Sequence, residues 1–183
     1  MDRTERYVAL LRGINVGGAN LIPMTALRAS FETLGLLDVT SFIASGNVLF
    51  RSKATDSRTL TSRIEKALST EFGYAATVVL RSHAQMKTVV RRAPDGFGAS
   101  PHLYRYDVVF VKEPLVPRMV VTMISTREGV DTAAAGSSVI YFSRLIARAS
   151  LSHLPKLVSM PVYQQLTIRN WNTTTKLLAL MAA

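Results

Sequence analysis

Apolar residues change their period several times along the chain, and each change marks an element. Tyr7-Val8-Ala9-Leu10-Leu11 is apolar at consecutive positions, the pattern of a central strand covered on both faces. Met24, Leu27, Phe31 and Leu34 then recur at helical spacing, with Pro23 beside the helix start and Gly35 as a stop signal. Val39 to Ala44 and Val48 to Arg51 read as two strands joined through a turn at Ser45-Gly46-Asn47. Asp56 or Ser57 can cap a second helix whose inner stripe is Leu60, Ile64, Leu68 and Phe72, ended by Gly73. Ala76 to Arg81 is a fourth strand, so the order is βαββαβ, the ferredoxin-like split unit. Ser82-His83-Ala84-Gln85 matches a capping box and opens a connecting helix carrying Met86, Val89 and Val90.

Ala93-Pro94-Asp95-Gly96-Phe97-Gly98-Ala99-Ser100-Pro101 suits no regular element and reads as a linker. Beyond it the order repeats. Tyr106 to Val111 predicts a strand and Pro114 to Ile124 a helix with both prolines in or near its first turn. Glu128 to Ala134 and Ser138 to Phe142 form a hairpin across Ala135-Gly136. Ser150 to Ser159 carries Leu151, Leu154 and Leu157 at helical spacing, although Pro155 argues against a regular helix throughout. Gln165 to Arg169 alternates as a last strand, and Asn172 or Thr173 caps a closing helix, Thr174 to Met181. The expected fold is α+β with two ferredoxin-like βαββαβ subdomains. Residues 1–92 form the first with the connecting helix, 93–102 the linker, and 103–183 the second with the closing helix. The halves share a pattern and no convincing identity.

Composition narrows the chemistry. With 183 residues, 48% hydrophobic and 19% charged, the chain can bury a real core. It has no cysteine, which removes disulfides, thiolate catalysis and cysteine metal sites and fits a reducing cytosol. The charged start Met1-Asp2-Arg3-Thr4-Glu5-Arg6 does not read as a signal peptide, and the apolar run Leu177 to Ala183 is too short for a membrane span, so a cytoplasmic protein is expected. The net charge is +10, and Asp131 is the last acidic residue, so a wholly basic C-terminal third should attract phosphates, nucleic acid or other acidic partners. A solvated cationic face accounts for the same charge equally well.

One stretch organises the candidate site. Arg12-Gly13-Ile14-Asn15-Val16-Gly17-Gly18-Ala19-Asn20-Leu21-Ile22-Pro23 connects the first strand to a helix beginning near Met24. Backbone N–H groups ahead of a helix carry partial positive charge, glycines let a ligand approach the main chain, and Arg12 adds a fork of donors. Arg12, Gly13, Asn15, Gly17, Gly18 and Asn20 are therefore candidates to hold an anion. The spacing is neither G-x-G-x-x-G nor a P-loop, and the alternative is a wide loop whose glycines only permit left-handed turns. A second candidate is the stretch from Ile168 to Lys176. Trp171, the single tryptophan, could stack on a ring while Arg169 and Lys176 neutralise a phosphate and Asn170 and Asn172 add amides. Its bland reading is a core tryptophan beside a helix cap. Ser45-Gly46-Asn47 lacks the surroundings of a nucleophile elbow, and a ferredoxin-like order puts that hairpin at the opposite end of the sheet from the glycine loop. His83, His102 and His153 lie in separate elements, and Asp38, Asp95, Asp107 and Asp131 form no cluster, so no metal and no cofactor is expected.

Y-V-A-L-L-R-G-I-N-V-G-G (7–18), I-P-M-T-A-L-R (22–28), S-G-N-V-L-F (45–50) and T-I-R-N-W-N-T-T-T-K-L (167–177) resemble the bacterial family termed domain of unknown function 1697. The motifs agree in order over nearly the whole chain. The resemblance implies a cytoplasmic α+β protein of two βαβ-containing subdomains and no established activity. Members often carry lysines where this chain has Ala19 and Leu21, which weakens an anion site built on the loop alone. Arg12, Asn15, Asn20 and Arg169 stand where the family pattern has them.

Three functions compete. The first is a small anionic or phosphorylated ligand, nucleotide-like ones included, gripped by the glycine loop with Arg169-Asn170-Trp171-Asn172 closing over it. The second is a nucleic-acid-binding module on the basic C-terminal half, although Val48-Leu49-Phe50-Arg51 lacks the aromatic platform of RNA-recognition sheets. The third is a structural or adaptor protein whose motifs serve folding only.

Overall fold

A computed structural model describes residues 4–15, 21–44, 46–53 and 56–182. The chain divides into two compact units, Met1–Ala84 with Ala179–Ala183, and Gln85–Leu178. No helix among the described residues is long and apolar enough to cross a membrane.

The first unit runs β1 (Thr4–Leu11), α1 (Met24–Thr33), β2 (Leu37–Ser41), β3 (Asn47–Lys53), α2 (Ser57–Phe72) and β4 (Val78–Ser82). Its antiparallel sheet has the order β2-β3-β1-β4. Alternate residues of the strands, Tyr7, Ala9, Leu11, Val48, Phe50, Val78 and Leu80, join Leu27 and Phe31 of α1 and Leu60, Ile64 and Leu68 of α2 in one core. The residues between them, Val8, Leu10, Leu49 and Val79, are buried as well, as the unbroken apolar run demands. Helix α2 is closed at both ends as its sequence predicts. The Asp56 carboxylate accepts from Thr59 N at 2.9 Å, and Gly73 takes the left-handed conformation at φ +67°.

Helix α3 (His83–Arg91) follows β4 directly, and the division between the units falls in its first turn. The second unit continues through β5 (Tyr104–Val111), α4 (Pro117–Val121), β6 (Asp131–Ala135), β7 (Val139–Leu145), α5 (Leu154–Val158) and β8 (Leu166–Asn170) to α6 (Trp171–Ala182), whose residues from Ala179 onward belong to the first unit. Its sheet has the same order, β6-β7-β5-β8. Val109, Val111, Ile140, Phe142 and Leu166 meet Val120, Ile124, Leu154 and Leu157 in its core. Bonds repeat along with the strands: Leu11 N–H donates to Gly46 O and Val111 N–H to Ser138 O, while Arg12 N–H donates to Thr77 O and Lys112 N–H to Gln165 O. The fold is α+β with duplicated subdomains.

Several expectations need correction. The helix expected over Pro114 to Ile124 is one short turn, Pro117–Val121, because Pro117 lacks an N–H and can only start it. The helix expected over Ser150 to Ser159 is a 3-10 stretch Ile146–Leu151, then α5, then a second 3-10 stretch Pro161–Gln165. Pro155 and Pro161 each restart the winding. Helix α6 begins at Trp171, and its cap is Asn170, whose Oδ1 accepts from Thr173 N at 2.7 Å. Neither Asn172 nor Thr173 is the cap. The β2–β3 hairpin lies at the same end of the sheet as the exit of β1. Antiparallel pairing sets Leu10 opposite Asn47, and a Cβ on Gly46 (φ +76°) would run into Leu11 and Ile14. The segment 93–102 is part of the second unit, anchored by Phe97, whose ring meets Tyr106, Tyr141 and Trp171 with centroids 4.9, 5.3 and 5.2 Å away.

Candidate functional site

The glycine loop is described at its two ends; residues 16–20, with Gly17, Gly18 and Asn20, lie outside the described residues. Asn15 sits at φ +52°, a conformation asparagine tolerates. Its Nδ2 donates to Ile22 O at 3.0 Å and Ala44 O at 2.9 Å, and its Oδ1 accepts from Ile22 N at 2.8 Å. The amide thus ties one end of the loop to the other and to the β2–β3 hairpin. This is the work of a fastener. Gly13 is exposed at φ +68° with open space around it, and Arg12 is partly exposed.

The second candidate stretch is split by the pleat of β8. Arg169 stands opposite Val108 and Asn170 opposite Asp107, so their side chains leave opposite faces of the sheet. Arg169 is buried, and its Nη1 donates to Thr167 Oγ1 and Ile168 O, both at 2.8 Å. Burial lowers the pKa of its guanidinium to about 10, against the opposing influence of Tyr163. Arg81 holds the same place on β4, opposite Val8, and likewise donates from Nη1 to the carbonyl of the preceding residue, Leu80. A buried arginine repeated at one position of both units reads as a framework element. Lys176 is exposed on α6.

Asn170, Trp171 and Asn172 lie together in an open pocket of about 290 Å³ in the second unit. Tyr104, Arg105, Tyr106 and Asp107 of β5 and Arg144 of β7 complete its wall, with Pro101 at the edge. Trp171 is half-buried: its indole lies edge-on to Phe97, with an interplanar angle of 88°, and presses on Gly98 so closely that no Cβ fits there. Arg105 and Arg144 face each other directly across β5 and β7. Two residues on, Asp107 lies on the same face, with Oδ2 3.4 Å from Arg144 Nη2. Burial pushes the Asp107 carboxyl above its usual range, outweighing the pull of Arg144 and Arg105. Asn170 caps α6, so the first turn of a 12-residue helix opens at the pocket and adds its positive end to the two guanidiniums. Arg105, Asp107 and Arg144 carry no motif in the sequence. Only strand register assembles them.

A second constellation has the residue types of a hydrolase. Ser125 Oγ lies 2.9 Å from His153 Nδ1, Lys156 Nζ lies 3.2 Å from His153 Nε2, and Asp131 Oδ2 accepts from His153 N at 2.7 Å. The geometry argues against catalysis. An ammonium only donates, so Nε2 is the acceptor and the ring proton sits on Nδ1, donating to the serine. The serine has no base, and Asp131 holds the backbone of His153 and not its ring. Among the described residues no group of three histidines or acids could hold a metal. A sheet-face nucleic-acid site lacks its platform in the first unit, where Tyr7 to Leu11 of β1 are all buried.

No curated protein matches the chain. A solved structure, that of the conserved bacterial protein SP0830 from Streptococcus pneumoniae, aligns with it at a TM-score of 0.85 and 28% sequence identity, covering 98% of this chain and 99% of that one. The family described as "Protein of unknown function (DUF1697)" matches residues 4–141, which takes in β5 and its arginine but stops before Arg144 and α6. With three quarters of its length inside that match, the chain belongs to the DUF1697 family.

Proposed function

We propose that the second unit binds a small anionic, phosphorylated ligand in the pocket formed by β5, β7 and the start of α6. The observation that carries this reading is the facing pair Arg105 and Arg144. Like charges directly opposite across strands destabilise a sheet, by up to roughly 1 kcal/mol. The first unit avoids the conflict, with Glu5 and Ser52 at the matching places. Asp107, with Oδ2 3.4 Å from Arg144, offsets part of that repulsion, and a bound anion would offset the rest and accept from both forks. The pocket volume, about 290 Å³, is at the lower limit of small-molecule sites, so it suits one phosphate on a sugar, a single ring or a short chain.

The test is a thermal-shift titration of the full chain with phosphorylated compounds at low salt. A ligand at about 100 times its Kd adds ~2.7 kcal/mol, a rise of roughly 5–10 °C for a protein of this size. Arg144→Gln should abolish the rise, and added salt should shrink it. A flat response to every phosphorylated compound sinks the proposal.

A further inference from the structure

The first unit carries a facing arginine pair of its own, one position along and on the other face of the sheet. Arg6 of β1 stands directly opposite Arg51 of β3. Leu11 N–H donates to Gly46 O, and alternation along the ladder makes Arg6 and Arg51 a non-hydrogen-bonded pair, the kind that brings side chains closest. Their face is the one away from α1 and α2, shared with Leu49. The fold does not require the pair, since the second unit has Tyr106 and Ser143 at the two places. Different neighbours hold the two guanidiniums. Arg6 Nη1 donates to Met181 O in the last turn of α6 at 2.7 Å. Arg51 donates from Nη1 to Asp38 Oδ2 at 3.1 Å and from Nη2 to Thr4 Oγ1 at 2.6 Å. The two arginines line a pocket of about 240 Å³ with Asp38, Leu49, Leu180 and Met181, all within the first unit.

We propose that this pocket is a second binding site, for a small carboxylate carrying a short apolar chain. Two arginines against one aspartate leave a surplus positive charge in the wall, which suits a monoanion better than a dianionic phosphate. Asp38 shows that Arg51 accepts a carboxylate there. It does so through one oxygen of a side chain that is 67% exposed, and so exposed a pair is weak enough for a ligand to replace. Nη1 and Nη2 of Arg51 carry two N–H groups each and spend one each on Asp38 and Thr4, so two remain on a side chain 42% exposed. Leu180, large, apolar and 38% exposed, joins Leu49 and Met181 as the surface for the chain. The edge strand is bent at this place by a bulge between Leu37 and Thr40, with Asp38 at φ +51°, a device that re-aims side chains beside functional sites.

The experiment titrates the full chain with hexanoate, hexanol and inorganic phosphate and follows side-chain methyls by NMR. Hexanoate should give saturable shifts at Leu49, Leu180 and Met181. Hexanol should bind about tenfold or more weakly, the worth of one charge-assisted hydrogen bond, and phosphate should leave these methyls in place. Arg51→Gln should weaken hexanoate by a similar factor. Asp38→Asn keeps a residue type tolerated at positive φ and removes the competing carboxylate, so it should tighten hexanoate about two- to fivefold. The proposal is overturned if hexanoate gives no saturable shift at these methyls, or if hexanol or phosphate matches it. An Asp38→Asn that binds hexanoate no better than wild type overturns it as well. Should Arg51→Gln fail to fold, the wild-type ratio of hexanoate to hexanol decides.

Discussion

Asp107 and Tyr7 hold the same place in the two units. Tyr7 of β1 pairs with Phe50 of β3 and Ser82 of β4; Asp107 of β5 pairs with Phe142 of β7 and Asn170 of β8. In the first unit the position is filled by a ring stacked on Phe50, with centroids 5.7 Å apart. In the second unit the same position carries a desolvated carboxylate. The second unit has no such ring stacked at this place, and a pocket with two arginines stands there.

Asp107 should leave a signature in stability against pH. Its folded-state pKa lies above the ordinary 3.8, so the folded protein binds the proton more tightly than the unfolded chain. The group's stabilising contribution is present below pH 3.8 and is lost as pH rises through the raised value. Asp107→Asn should remove that fall, and at pH 7 it should unfold at an equal or higher denaturant concentration than wild type. A clearly less stable Asp107→Asn at pH 7 would mean the Arg144 ion pair outweighs desolvation.

Gly98 tests the seating of Trp171. Its φ is +88°, and an added Cβ would collide with the indole nitrogen and its neighbouring ring carbon. Gly98→Ala should cost about 2–4 kcal/mol, from overpacking and backbone strain together. Equilibrium urea unfolding would measure it, with tryptophan fluorescence reporting the displaced ring. An unchanged midpoint would show that the 93–102 segment adapts and does not fix Trp171.

Asn15 separates a fastener from a ligand contact. Asn15→Ala removes the bonds to Ile22 and Ala44 and leaves alanine at positive φ, for a cost of about 2–4 kcal/mol. Phosphate affinity should stay at the wild-type value once the variant is folded. Normal stability with lost binding would return the site to the glycine loop.

The sequence made the framework readable where local rules suffice. The run Tyr7 to Leu11, the stripe Leu60, Ile64 and Leu68, the cap at Asp56 and the stop at Gly73 each declare themselves within a few residues, and each is found as predicted. The pocket was only half legible. Asn170, Trp171 and Asn172 stood out by composition, and they line it. Arg105, Asp107 and Arg144 did not, because Asp107 reads as one of four scattered acids and Arg144 lies on a strand distant in sequence. Antiparallel register is what sets them side by side. The same limit explains the β2–β3 hairpin, whose end of the sheet follows from the pairing of Leu10 with Asn47 and not from any local signal. Proximity in sequence puts Arg169 beside Asn170 and Trp171, and the strand pleat turns it to the other face.

The central claim, an anion held between Arg105 and Arg144 at the start of α6, is tested most directly by titrating isotope-labelled full-length protein with inorganic phosphate and following backbone amides and the indole signal by NMR. Saturable shifts concentrated at Trp171, Asn172 and the Trp171 indole, lost in Arg105→Gln, are the predicted result. Shifts centred on Gly13, Gly17 and Gly18, or no saturable shift at any residue, would contradict it.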